Sequence, residues 1–183
     1  MKIKGILLLC LGLLCVQAQA QQSATAPQAD AAKEQLLKGG RMSPKQKAEL
    51  AKAAKGDENQ SASADFLASN KAKPGVISLP SGVQYKIVKA GSGKRPTEDD
   101  SVRASYLGTL VDGSPFDKVQ DKTPAVMRVG GLVPGLKEAV KLMPAGSKWE
   151  VVVPPELGYG AQGNRAVGPN AALIYVIEIL GVI

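Results

Sequence analysis

The residues best suited to chemistry are one acid and a small set of aromatic and apolar side chains. They fall in three loop-flanked segments of the C-terminal half, 111–117, 131–136 and 155–160. Asp117 follows Phe116 directly. Its carboxylate either accepts a hydrogen bond that stabilises a turn or belongs to a functional site. We favour the site, because an acid buried beside aromatic rings is a functional candidate. Tyr159 stands between two glycines on a proline-rich loop, a poor position for a core residue, so it is a second candidate.

The residue types that are missing exclude most covalent and metal chemistry. The chain has no histidine, and its two cysteines, Cys10 and Cys15, both lie in the first apolar run. Once that run is removed, the remainder cannot form a zinc site from Cys or His. It also lacks the groups for a cysteine nucleophile or a Ser-His-Asp triad. We therefore predict a site that needs neither a metal ion nor a cofactor.

Two further classes of ligand are not expected. Gly158-Tyr-Gly-Ala-Gln-Gly163 matches G-x-G-x-x-G, yet a dinucleotide site needs a helix that begins at those glycines. Here Gly168-Pro169 and a β-type run follow, so the sequence does not predict nucleotide binding. Without the two N-terminal lysines the net charge is +5, and it is spread along the chain. No basic patch with interleaved aromatics exists, so nucleic acid is not a predicted partner.

The N-terminus has the three parts of a secretory signal peptide. Lys2 and Lys4 precede an apolar run over 5–16, and Ala18 and Ala20 supply the small residues of a cleavage site. The run is too short for a membrane-spanning helix, which needs about 18 or more apolar residues. A lipoprotein would need a small residue before its modified cysteine, whereas a leucine precedes each cysteine. We predict cleavage near Ala20 and an extracytoplasmic protein without stable membrane insertion.

Residues 21–75 contain no valine or isoleucine, so we expect helix or coil there rather than strand. The first residues of this segment read as a flexible polar leader. The sequence predicts a helix that begins at Ser43-Pro44, weakens at Gly56-Asp57, and resumes before it ends near Lys71. Because it has so few large apolar residues, this helix is either a solvated linker or packs against a second subunit.

From residue 76 onward, β-branched runs alternate with Gly/Pro turns, which is typical of an antiparallel sheet. We predict strands at 82–88, 101–110, 125–129, 148–153 and 171–182, the last apolar enough to be central. Along 101–110 only Leu107 breaks the alternation, so Tyr106 faces the core side. One short helix carries an apolar stripe, Leu136, Ala139, Val140 and Met143. The predicted fold class is α+β: a curved antiparallel β-sheet wrapped around one short α-helix, preceded by a helical N-terminal segment.

Five motifs follow one another in residues 82–183: Tyr106-Leu-Gly-Thr-Leu, Asp112-Gly-Ser-Pro-Phe-Asp117, Val133-Pro-Gly, Met143-Pro-Ala-Gly-Ser-Lys-Trp149 and Leu157-Gly-Tyr-Gly160. Their types and order resemble the FKBP family of peptidyl-prolyl cis-trans isomerases. Residues 66–70 and 81–85 are similar to the helix-to-domain junction of its secreted macrophage infectivity potentiator subgroup. That subgroup dimerises through longer N-terminal helices, so the resemblance implies a homodimer through the shortened segment 43–72.

The resemblance also implies roles for individual residues. In the family pattern Val133 supplies a backbone N–H donor, Tyr159 a hydroxyl donor and Asp117 a carbonyl-polarising acid, with Phe116 beside them. The implied substrate-binding residues are Tyr106, Leu132, Leu136, Val167 and Tyr175. Plain core packing explains Tyr106 and Tyr175 equally well, and Phe116 fits equally as a hydrophobic residue of the sheet.

The sequence departs from the family pattern at the pocket floor. Many members have tryptophan where this chain has Leu136, which implies a shorter floor. We expect this to weaken the binding of FK506-like or rapamycin-like macrolides more than isomerisation. The aromatic residue often found near Met127 and the polar residue often found at Gly131 are also missing.

The resemblance implies a periplasmic or secreted prolyl isomerase whose partners are proline-containing polypeptides. Rotation of an X-Pro amide meets a barrier of roughly 18–20 kcal/mol, and an apolar aromatic pocket disfavours the polar planar amide relative to the twisted one. The alternative is a binding module or holdase chaperone that keeps the pocket but has little turnover. We assign 1–20 to the signal peptide, 21–75 to the leader and helical segment, and 76–183 to the isomerase domain.

Overall fold

The computed structural model of the protein describes residues 43–183. The predicted signal peptide over 1–20, both cysteines and the polar leader lie outside the described residues. Within residues 43–183, no helix is both long enough and apolar enough to cross a membrane.

Two α-helices, seven β-strands and two short 3-10 helices make up the described part of the chain. The α-helices are α1, Pro44–Lys71, and α2, Pro134–Leu142. The strands are β1 Val76–Ser78, β2 Gln84–Lys89, β3 Ser101–Thr109, β4 Pro115–Val119, β5 Ala125–Arg128, β6 Lys148–Val153 and β7 Leu173–Val182. The 3-10 helices are Val129–Gly131 and Pro155–Leu157.

The seven strands form one antiparallel sheet in the order β1-β2-β6-β7-β3-β4, with β5 also paired to β3. Strand β7 is interior, as its apolar sequence predicts. Strand β3 pairs with β7 along its length, with β5 at its start and with β4 at its end. Register shifts interrupt β2 at Ile87/Lys89 and β3 at Arg103/Ala104 and Gly108/Thr109. Such irregularities bend strands, which gives the sheet the curvature expected from the sequence.

Helix α2 packs on the sheet through the apolar stripe that the sequence predicts. Every member of the stripe is at most 3% exposed and belongs to one core cluster with β3, β6 and β7. Gly135 brings the helix close to β6, because a Cβ at this position would lie 2.5 Å from Val153 Cγ1. The predicted α+β class, an antiparallel sheet with one short helix on it, is confirmed.

The strand predictions missed two short strands, β1 and β4. The five predicted strands are present, with ends that differ by two residues or fewer. Leu107 does not interrupt the alternation of β3, since its side chain is 37% exposed while Ala104 and Val102 are fully buried on the other face. Leu107 is thus an apolar residue on the outer face, which hides the apolar–polar alternation of β3 in the sequence without changing the direction of its side chains.

Helix α1 corrects two expectations. The break expected at Gly56-Asp57 is wrong, and the helix continues through both residues. Gly56 is buried against Pro169, where a Cβ would meet the proline ring at 3.4 Å. The buried residues of α1 are Gly56, Ser63 and Asn70, so the helix is not simply a solvated linker.

The face of α1 that bears these residues contacts the same chain, within the compact unit Ala48–Ile183. Asn70 Nδ2 donates to Gln84 Oε1 at 2.9 Å, and Gln84 Nε2 donates to the carbonyl oxygen of Leu67 at 2.9 Å. Ser63 bonds to Asn170 and Ala172 just before β7. The sequence left solvent or a second subunit as the surroundings of this helix, whereas one of its faces contacts the chain's own sheet.

We predict that residues 76–183 fold without α1 but are less stable than residues 43–183. Every member of the buried core cluster lies at residue 83 or later, so the core is retained. Loss of the hydrogen bonds from α1 should lower the free energy of unfolding by about 1–3 kcal/mol. Urea unfolding of the two fragments measures this difference. A 76–183 fragment without near-ultraviolet circular dichroism would instead place α1 in the core and the boundary at 76 in error.

Candidate functional site

Three neighbouring strands bring the candidate side chains together. Asp117 of β4 pairs with Gly108 of β3, and Gly108 pairs with Tyr175 of β7. Tyr106 lies two residues before Gly108 on β3, and side chains two residues apart share a face of a strand. Candidates drawn from separate parts of the sequence are therefore neighbours across the sheet.

Gly108 leaves the space that the aromatic rings occupy. A Cβ at this position would lie 2.7 Å from Phe116 Cζ, so any other residue would displace the ring. Phe116 stands edge-on to Tyr175, with ring centroids 5.5 Å apart and an interplanar angle of 85°. Tyr106 also meets Tyr175 edge-on, at 6.0 Å and 65°. Edge-to-face pairs at these distances are favourable, so the rings hold one another in place.

The carboxylate of Asp117 is fixed by two hydrogen bonds. The Tyr106 hydroxyl donates to Oδ2 at 2.5 Å, and the backbone N–H of Lys118 donates to Oδ1 at 2.8 Å. The expectation of a buried acid is wrong, because Asp117 is an exposed residue. Its strand, β4, is the last in the strand order, so solvent reaches the side chain. Tyr106, Phe116 and Tyr175 form an aromatic cluster, and the hydrogen bond to Tyr106 still holds one oxygen of the Asp117 carboxylate beside it.

The phenol groups of the cluster remain neutral over a wide pH range. Burial raises the pKa of both Tyr106 and Tyr175 well above the ordinary value of 10.0. For Tyr106, the hydrogen bond to the carboxylate of Asp117 and its negative charge raise the pKa further. For Tyr175, the neighbouring Tyr159 and Tyr106 add to the effect of burial. Both hydroxyls are therefore hydrogen-bond donors at neutral pH.

The start of α2 forms the opposite wall of the site. The 3-10 helix Val129–Gly131 leads into Leu132, and Val133 is the N-cap residue of α2. The first N–H groups of a helix have no acceptor within it, and Pro134 has no N–H, so Val133 provides a backbone donor at this helix start. Leu136 follows one turn later and is only 3% exposed, which makes it the floor of the site.

Tyr159 comes from a loop over residues 158–170, which we call the Tyr159 loop. It follows the 3-10 helix Pro155–Leu157 and precedes β7. The glycine-rich stretch 158–163 forms turns and no helix begins there. Tyr159 is half-buried against the core, and its carbonyl oxygen accepts a hydrogen bond from the Gly163 N–H at 3.1 Å. The loop thus supplies a tyrosine side chain from a third direction.

These elements enclose a cavity of about 130 Å³. Its lining residues are Tyr106, Asp117, Met127, Gly131, Leu132, Val133, Leu136, Tyr159 and Tyr175. Seven of the nine predicted site residues are in this lining. Phe116 is not, and packs behind Tyr175, while Val167 is 1% exposed within the core. Met127 and Gly131, noted in the sequence as departures from the family pattern, complete the wall.

A second cavity, of about 280 Å³, contains none of the predicted site residues. It is lined by Tyr85, Ile87, Ala90, Gly91, Arg95, Leu142, Pro144 and Trp149. We place the candidate site in the smaller cavity, because Asp117, the neutral phenols of Tyr106 and Tyr175, and Val133 at the start of α2 all line it. In residues 43–183, no cluster of three or more His, Cys, Asp or Glu side chains is arranged to hold a metal ion.

Comparison with known proteins agrees with this geometry. The family model described as FKBP-type peptidyl-prolyl cis-trans isomerase matches residues 92–180. A second model, described as the domain amino-terminal to FKBP-type peptidyl-prolyl isomerase, matches residues 9–87. The outer membrane protein MIP of Legionella longbeachae is 46% identical over 130 residues, which cover 70% of this chain and 56% of that protein. The chain thus spans about half the length of the curated relatives it matches.

Solved structures give the same result. FkpA from Escherichia coli superposes with a TM-score of 0.72 at 29% identity, covering 87% of this chain and 74% of that one. A peptidyl-prolyl cis-trans isomerase from Pseudomonas syringae has a TM-score of 0.65 at 30% identity. The match covers 78% of this chain and 98% of the P. syringae protein. The chain therefore belongs to the family of FKBP-type peptidyl-prolyl cis-trans isomerases.

Proposed function

We propose that this protein is a peptidyl-prolyl cis-trans isomerase that accelerates rotation of X-Pro bonds in extracytoplasmic polypeptides and so assists their folding. The observation that carries the proposal is the cavity lined by the Tyr106–Asp117 pair, Val133 and Tyr159 around the apolar Leu132 and Leu136. Its relatives are isomerases by name, and without histidine the chain cannot form a Ser-His-Asp triad.

The reaction requires only that the site bind the twisted amide better than the planar one. Resonance makes the planar X-Pro amide dipolar and well hydrated, and its rotation meets a barrier of roughly 18–20 kcal/mol. Transfer into a cavity walled by Tyr175, Leu132 and Leu136 removes that hydration. The twisted amide has less charge separation and loses less on transfer, so the barrier falls without a covalent intermediate.

Three groups orient the substrate in this proposal. The Val133 N–H donates to a substrate carbonyl, and the Tyr159 hydroxyl donates to a second acceptor. The Asp117 carboxylate, held by Tyr106, polarises the carbonyl carbon of the rotating amide. Because the carboxylate is already hydrogen-bonded in the free protein, little reorganisation is needed when substrate binds.

We also propose that the site binds FK506-like or rapamycin-like macrolides weakly. Leu136 occupies the floor where many family members have tryptophan, so a large ligand loses the contact area of an indole ring. A prolyl residue is smaller and relies less on that surface. Isomerisation should therefore be affected less than macrolide binding.

Location and self-association are further parts of the proposal. The match to a relative named as an outer membrane protein supports a place in the cell envelope, and we propose the periplasm after cleavage near Ala20. A homodimer through residues 43–72 stays a prediction. The α1 face with Gly56, Ser63 and Asn70 is covered by the chain itself, so a second copy would contact the other faces.

We predict that Phe116→Ala and Asp117→Val each lower kcat/KM for an X-Pro peptide by about tenfold or more, because each removes support from the aromatic cluster or the carboxylate itself. Circular dichroism should show both variants folded. A coupled peptide isomerisation assay measures the rates. Asp121→Val is the matched control, since it removes an exposed acid that does not line the cavity.

Full activity in both variants would remove this cavity from the mechanism. An inactive wild-type protein that still binds prolyl peptides would favour the alternative, a binding module or holdase chaperone.

We predict that Leu136→Trp raises affinity for the macrolides by roughly tenfold, because an indole ring offers more buried apolar contact than leucine. Isothermal titration gives the Kd, and the isomerisation assay gives kcat/KM for the same samples. The position is buried, so thermal unfolding must first establish that the enlarged floor is tolerated. A folded variant with an unchanged Kd would show that the floor does not limit macrolide binding.

We predict a catalysed rate that is constant from about pH 5.5 to 8, a window without ordinary histidine or cysteine titration after residue 20. The raised pKa values of Tyr106 and Tyr175 keep both phenols protonated there. A phenol whose pKa is raised on folding stabilises the native state below its unfolded pKa of about 10, and this stabilisation is lost at higher pH. Activity should therefore decline only in the alkaline range.

Initial rates across this range, with and without a metal chelator, test the prediction. If the plot of rate against pH bends in the wild type but not in Asp117→Asn, the titrating group is that carboxylate. A bend that persists in this variant, or inactivation by the chelator, would contradict a mechanism without proton transfer or metal.

A further inference from the structure

Helix α1 meets the Tyr159 loop through a stripe of small and polar residues, Gly56, Asn59 and Ser63. Asn59 Nδ2 donates to the carbonyl oxygen of Pro169 at 2.8 Å. Ser63 Oγ donates to the carbonyl oxygen of Asn170 at 3.1 Å and accepts from the Ala172 N–H at 2.8 Å. These contacts fall on the last residues of the loop that carries Tyr159, directly before β7.

Ser63 satisfies backbone groups that the sheet leaves unpaired. Its side chain donates one hydrogen bond and accepts another, and the residue is 2% exposed. The N–H of Ala172 is buried and precedes the first residue of β7. Loss of the Ser63 hydroxyl would leave that N–H without its acceptor, which is costly in a buried position. The end of the loop is therefore held from the helix side.

Asn170 transmits this constraint across the loop. Its φ of 54° lies in the left-handed region, uncommon for a residue other than glycine, so its neighbours must hold it there. The Asn170 N–H donates to the carbonyl oxygen of Gly160 at 2.9 Å. Gly160 follows Tyr159 directly, and the Gly160 N–H is itself bonded to the carbonyl oxygen of Pro155 at 2.8 Å. Two backbone hydrogen bonds thus tie Gly160, the residue after Tyr159, to the end of the loop at Asn170 and to the preceding 3-10 helix at Pro155.

We infer that α1 is a positioning element of the active site, and that Ser63, assisted by Asn59, sets the placement of the Tyr159 hydroxyl through Asn170 and Gly160. The inference rests on the proposed isomerase function for its kinetic consequence, but the placement itself is a property of the fold. Ser63 does not line the cavity, and its hydrogen bonds to Asn170 and Ala172 connect it to the end of the loop. A small displacement of a group that stabilises the transition state is enough to slow a reaction.

The test compares two variants of the same helix in the full chain. Ser63→Ala removes the contact with the loop. Asn70→Ala is the matched control, because it removes the contact with Gln84 of β2 and leaves the loop contacts intact. Asn59→Ala is a milder second variant, since its bond to Pro169 is only partly buried.

Hydrogen exchange of backbone amides is the first measurement, and it does not depend on activity. In Ser63→Ala, exchange at Gly160, Gly163 and Asn170 should accelerate by roughly three- to tenfold, because local opening becomes easier. Asn59→Ala should show the same change to a smaller extent. In Asn70→Ala these amides should exchange as in the wild type. Unchanged exchange of the loop in Ser63→Ala, or equal acceleration in Asn70→Ala, would overturn the inference.

Kinetics on an X-Pro peptide is the second measurement. Ser63→Ala should lower kcat by roughly three- to tenfold with little change in KM, while Asn70→Ala keeps the wild-type values. In a Tyr159→Phe background the effect of Ser63→Ala should largely disappear, since the hydroxyl that it positions is gone. If the effects of Ser63→Ala and Tyr159→Phe on kcat simply add in the double variant, the inference is overturned. If the wild type itself fails to isomerise prolyl peptides, the proposed function fails, and the exchange comparison still decides whether α1 positions the loop.

Discussion

The contact between the Phe116 ring and the backbone of β3 at Gly108 is the constraint on which the site depends. Strands β4, β3 and β7 bring their side chains to one row, and a side chain at the central position would collide with the ring at 2.7 Å. With glycine there, Phe116 and Tyr106 both reach Tyr175 edge-on. The register shift of β3 at Gly108/Thr109 lies beside this contact, so the strand bends where the aromatic rings pack.

The same arrangement reconciles an exposed acid with an apolar cavity. A fully buried Asp117 carboxylate would be costly to desolvate and would tend to become neutral. At the end of the strand order it keeps contact with water, while the Tyr106 hydroxyl directs one oxygen toward the rings. The carboxylate is held beside the rings while it stays accessible to solvent, and the buried groups are instead the phenols, whose pKa values burial raises. A cavity built this way offers oriented dipoles without a group that must gain or lose a proton.

The parts of the fold and of the candidate site that can be predicted from the sequence are those marked by a periodic pattern of apolar residues. The stripe of α2 and the alternation of β3 are periodic, and both gave correct positions for Leu136 and Tyr106. The exposure of Asp117 depends on the strand order, since no local pattern places β4 last. The two ends of α1 agree with the sequence, but its contact with the rest of the chain was missed because its buried residues, Gly56, Ser63 and Asn70, are small or polar and carry no hydrophobic signal. Their seven-residue spacing was the one available indication, and it becomes meaningful only once the partner surface is known.

A helix that packs through polar residues behaves differently from one that packs through an apolar stripe. Isolated helices of low apolar content gain little from burial, so α1 depends on its hydrogen bonds to the chain for part of its order. The Tyr159 loop in turn holds Asn170 at a positive φ, which needs support from outside the loop. Each element therefore stabilises the other, through directional bonds from Asn59 and Ser63 rather than through a shared core. Because hydrogen bonds weaken steeply with distance and angle whereas apolar contacts tolerate sliding, a small displacement of α1 is transmitted to the end of the Tyr159 loop.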